Sequence, residues 1–67
     1  MSQLSKPEEF QECIEKAVEI YVYSIADINS PPVAVGLITE WFPLRDTVFV
    51  NNNRYDLKEY ALLTKKI

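Results

Sequence analysis

Apolar residues Phe10, Cys13, Ile14, Ala17 and Val18 recur at i, i+3, i+4, i+7 and i+8, with Glu9, Glu12, Glu15, Lys16 and Glu19 around the remaining face. This spacing predicts an amphipathic helix docked by one stripe. Ser5 and Glu8 stand in capping-box register and Pro7 lies where a first turn needs no N–H, so the helix is expected over residues 6–17. From Val18 to Ile28 two periods compete. At 3.6, Val18, Tyr21, Ile25 and Ile28 prolong the stripe; at 2, Val18, Ile20, Val22, Ser24 and Ala26 alternate with Glu19, Tyr21, Tyr23, Ile25 and Asp27. The density of β-branched and aromatic side chains, which crowd a helix, favours a strand.

Asn29-Ser30-Pro31-Pro32 reads as a loop. Beyond it, Val33, Val35, Leu37, Thr39 and Trp41 alternate with Ala34, Gly36, Ile38, Glu40 and Phe42, a strand apolar on much of both faces. Gly36 is the only glycine, and inside a strand it marks a bend or bulge where another backbone comes close. Pro43 to Asp46 predicts a turn, Thr47 to Val50 a strand, and Asn51 to Asn53 a tight connection tolerant of positive φ. Asp56 and Glu59 again have capping-box spacing, so Leu57 to Tyr60 is expected to make one helical turn before a closing strand over residues 61–67.

The resulting expectation is a single domain over residues 1–67, mostly β with an N-terminal α-helix (6–17) and a five-stranded bent barrel (18–67). This order resembles the SH3-like and Sm-like small β-barrels. The alternative is an α+β fold, one long helix packed on a three-stranded antiparallel sheet. Val18-Glu19-Ile20-Tyr21, Gly36-Leu37-Ile38 and Val48-Phe49-Val50, with the preceding helix, are similar to the Sm-like RNA chaperone family of Hfq. Arg54-Tyr55-Asp56-Leu57-Lys58-Glu59-Tyr60-Ala61-Leu62-Leu63 resembles the end of the YolD-like proteins of bacteria and phages. Hfq-type RNA binding relies on a Tyr-Lys-His run, whereas this chain has no histidine and follows Tyr55 with Asp56. No RNA-binding residue is therefore carried over from that family.

A chain of 67 residues buries only about 60% of its unfolded surface, so there is room for one core. Small domains often draw on disulfides, metals or partner subunits. Here the single Cys13 precludes an internal disulfide and the commonest zinc ligand is missing, which keeps a homo-oligomer in view. No apolar run reaches membrane-spanning length and the first residues lack a signal-peptide pattern, so no membrane partner and a cytoplasmic location are expected. Net charge is −3 but uneven. Residues 1–44 set two lysines against seven acids, net −5; residues 45–67 set five cations against three acids, net +2.

Catalysis is not expected. The usual general base is missing, Cys13 reads as a small apolar core residue, and the glutamates are spaced as a solvated helix face. One glycine rules out a glycine-rich phosphate loop, and no Cys/His cluster exists to hold a metal, so neither cofactor nor metal is expected. Binding remains. Eight aromatics exceed what one small core readily encloses, and Tyr21, Tyr23, Trp41, Tyr55 and Tyr60, with Phe42 beside Trp41, are the candidate partner-binding residues; Trp41 and Phe42 equally read as straddling the barrel to cover its open end, while Phe49 and Leu62 are expected in the core. Tyr21 and Tyr23 share one strand face and make the stronger pair. The leading expectation is a small cytosolic regulatory protein, encoded by a phage or other mobile element, that binds another protein. The alternative is an Sm-like RNA or single-stranded DNA binder using Arg45, Arg54, Lys58, Lys65 and Lys66 beside stacking tyrosines.

Overall fold

The computed structural model describes residues 2–65. Helix α1 spans Pro7–Lys16 with Lys6 as its N-cap. Pro7 takes the first helical position and thereby moves the cap one residue beyond the Ser5/Glu8 spacing. It is Glu9, at the third position, whose carboxylate accepts the N–H groups of Ser5 (2.8 Å) and Lys6 (3.1 Å). At the far end Ala17 is left-handed (φ 52°, ψ 51°), and the Val18 N–H reaches back to the Cys13 carbonyl at 3.0 Å, which stops the helix. The face carrying Phe10 and Cys13 is buried.

After β1 (Ser2–Gln3), which precedes the helix, the strands are β2 (Ile20–Ser24), β3 (Ala34–Gly36), β4 (Ile38–Phe42), β5 (Thr47–Val50), β6 (Asn53–Asp56) and β7 (Tyr60–Thr64). All pairings are antiparallel, and they form a four-stranded sheet in the order β1-β7-β2-β3 and a three-stranded sheet in the order β4-β5-β6. The ambiguous segment is thus a strand over Ile20–Ser24, followed by a 3-10 turn at Ile25–Asp27. The core is Phe10, Cys13, Ile20, Val22, Ile38, Val48, Val50 and Leu62, closed between the sheets and α1.

The expected five-stranded barrel does not close. Among the described strands none of the pairings joins β6 to β7, because β7 already has β2 on one edge and β1 on the other, with Gln3 and Tyr21 both opposite Leu63. The class is α+β, one helix and two antiparallel sheets, although the helix is short rather than long. Leu57 to Glu59 form a hydrogen-bonded turn instead of a helical one, held by Leu57 N–H to Asp46 C=O (2.8 Å) and Glu59 N–H to Asp56 C=O (3.0 Å).

The two sheets meet where the predicted long strand breaks, between β3 and β4 at Leu37. Asn51 and Asn52, both at positive φ (53° and 69°), form the two-residue β5–β6 hairpin turn. The Asn51 side chain then crosses to the break: its Oδ1 accepts the Leu37 N–H (3.2 Å), its Nδ2 donates to the Val35 carbonyl (3.2 Å), and its own N–H donates to the Leu37 carbonyl (3.0 Å). One side-chain amide thus completes the ladder across the seam. It fits only because residue 36 has no Cβ, since a methyl group there would overlap the Asn51 amide.

Candidate functional site

The inward and outward faces of each sheet decide which aromatics can reach a partner. In the four-stranded sheet Ile20 and Val22 are fully buried, so Tyr21 and Tyr23 between them point outward and are partly exposed. Opposite Tyr21 lie Val35 on β3 and Leu63 on β7; opposite Tyr23 lies Ala61. Val33, tied by its N–H to the Val22 carbonyl at 2.7 Å, is 55% exposed and Val35 40%. On the connection that follows β2, Ile25 and Ile28 are about half exposed. The Tyr21 hydroxyl donates to Glu19 Oε1 (3.2 Å) and the Lys65 ammonium lies 5.8 Å from its ring centroid. The outcome is an aromatic and aliphatic sheet face with one polar end.

The other three predicted aromatics do not join this face. Trp41, Tyr55 and Tyr60 pack against the core: the Trp41 ring stacks on Phe10 (centroids 4.2 Å apart, planes 11° from parallel), and Tyr55 meets Tyr60 edge-on at 5.1 Å. A β-bulge turns Trp41 inward. Between Ile38 and Glu40 the register with β5 shifts by one residue, with Thr39 as the extra one, so Ile38 and Trp41 both face the core and Phe42 faces out. Strict alternation from the sequence would have placed Trp41 with Thr39. Phe49, expected in the core, instead stands on the outer side of the second sheet, edge-on to Phe42 at 5.9 Å, while Leu62 is buried as expected.

The predicted cations are dispersed. Arg45 ends the 3-10 turn at Pro43–Arg45, Arg54 sits on β6 with its guanidinium 3.5 Å from Asp56 Oδ1, Lys58 lies in the β6–β7 turn, and Lys65 is over Tyr21. Lys66 lies outside the described residues. Arg54 lies on the three-stranded sheet with Asp56 offsetting it, whereas Lys65 follows β7 of the four-stranded sheet, so the described cations are divided between the two sheets.

Sequence reasoning missed the aliphatic half of the face, Val33, Val35 and Leu63, although a strand apolar on both sides was the signal for the two valines. The backbone N–H groups of Ser5 and Lys6 hold the Glu9 carboxyl below the ordinary carboxylate value, and the hydrogen bond to Glu12 (2.8 Å) raises Lys16. Both lie on α1, away from Tyr21 and Tyr23. Among the described residues no three His, Cys, Asp or Glu side chains gather as a metal site, and no helix is long and apolar enough to cross a membrane. Comparison with protein-family models, with curated proteins and with solved structures finds no match for this chain.

Proposed function

We propose that this protein is a non-enzymatic binding module that acts by protein–protein interaction through the outer face of the four-stranded sheet. The observation that carries the reading is the adjacency of Tyr21 and Tyr23 to Val33, Val35 and Leu63 on a face the core does not use. Tyrosines bring large contact area at low entropic cost, and aromatic side chains ringed by aliphatic ones are the composition of interface centres. The dispersed cations favour this over the RNA or single-stranded DNA alternative, which needs a positive groove along the backbone.

The test is affinity capture from the native host, followed by titration of the recovered protein against the wild type and a Tyr21→Ser/Tyr23→Ser variant. A stoichiometric protein partner whose affinity falls about 30-fold or more in the variant supports the proposal. Undiminished binding by the variant refutes this face, and recovery of nucleic acid with a salt-dependent shift moves the protein to the alternative class.

A further inference from the structure

We infer that residues 2–6 form a hinged strap that opens while the remaining chain stays folded, with Glu9 as its latch. The strap is attached at few points. Strand β1 has two residues, paired with Leu63 and Thr64, and beyond it the Leu4 N–H donates to the Leu62 carbonyl at 2.9 Å. Leu4 is only half-buried and Gln3 is exposed.

Gln3 and Leu4 also run between two surface grooves. On the helix side lies a groove of about 230 Å³ floored by Leu4, Cys13 and Val18; on the other lies a gap of about 280 Å³ between Leu4, Phe10, Leu57 and Tyr60. A segment with open grooves on both flanks has few packed side chains to hold it, which places it at the low end of local opening energies. By contrast β7 keeps its five-residue pairing with β2, and Ile20, Val22 and Leu62 beneath that pairing are buried. Opening therefore leaves the core intact.

The hinge and the latch are adjacent. Lys6 is extended (φ −109°, ψ 147°) and Pro7 begins the helix, so rotation at Ser5 and Lys6 swings the strap without bending α1. The Glu9 carboxylate holds both of those N–H groups and fixes the closed geometry. Once open, the strap leaves a bare edge on β7 and widens the groove that Cys13 lines.

The single thiol is the natural reporter, since Cys13 is 7% exposed and lines the same groove as Leu4. Labelling of the full-length protein with a disulfide reagent across a urea series reads the opening. The expected result is a labelling rate at low urea that barely depends on urea and is faster by about threefold or more in Glu9→Ala, while Trp41 fluorescence still shows one cooperative unfolding transition. Amide exchange separates the strap from helix fraying: the Leu4 N–H is expected to exchange well ahead of the Phe10 N–H, which is bonded to the Lys6 carbonyl. Labelling that follows global unfolding with its full urea dependence overturns the inference, as does exchange of Leu4 and Phe10 together.

Discussion

The pairing of Gly36 with Asn51 predicts a reversal of sign in a double-mutant cycle. Asn51→Ala deletes the amide that bonds the Leu37 N–H and the Val35 carbonyl, and it leaves alanine at φ 53°. Two net hydrogen bonds at an exposed seam are worth about 0.5–1 kcal/mol each, and alanine in the left-handed region costs about 1 kcal/mol more, so the loss is about 2–3 kcal/mol. For a domain of this size that lowers Tm by about 8–24 °C. Gly36→Ala in the wild type expels the same amide, because the three atoms nearest the new methyl group all belong to it. It should cost about 1–2 kcal/mol. In the Asn51→Ala background the methyl group no longer meets the amide and Gly36 has no positive φ to protect, so the same substitution becomes neutral or stabilising by about 0.5 kcal/mol. Urea unfolding of the four proteins, followed by the single Trp41, measures the cycle. Equal costs for Gly36→Ala in the two backgrounds would refute the account of the seam.

Other substitutions probe the helix and its docking. Ala17→Gly relieves the left-handed helix end and is expected to stabilise by about 1 kcal/mol, seen as a Tm rise of about 4–8 °C. Phe10→Ala removes a buried ring stacked on Trp41 and should cost about 3–5 kcal/mol with a red shift of Trp41 emission; an unshifted spectrum contradicts the stacking. The Glu9 carboxyl titrates below its unfolded value, so its contribution is complete above the ordinary carboxylate pKa and disappears as pH falls through the lowered one. Stability measured from pH 6 down to 2 should therefore fall more steeply in the wild type than in Glu9→Gln. Lys16 has the opposite sign: its contribution is present below the ordinary lysine pKa and is lost as pH rises through the elevated one, so Lys16→Met should differ from the wild type less at strongly alkaline pH.

Local chemistry fixed the elements that depend on neighbours in the chain. The apolar stripe and Pro7 specify α1, the β-branched run specifies β2 over residues 20–24, and Asn51-Asn52 supplies the two positive φ values of a hairpin turn. Each rests on a periodicity or a dihedral preference that a few residues express by themselves. The surface pair Tyr21 and Tyr23 was legible for the same reason, since alternation within one regular strand assigns them a common face. Tertiary structure decided the rest. Whether Trp41 points in or out turns on one extra residue at Thr39, which strand pairing creates and alternation in the sequence does not record. Whether the sheets close into a barrel turns on which segment takes the second edge of β7, and residues 2 and 3, remote in sequence, take it. Gly36 announced a close approach, but only the folded chain names Asn51 as the group that approaches, because fourteen residues of intervening strand and turn set their separation.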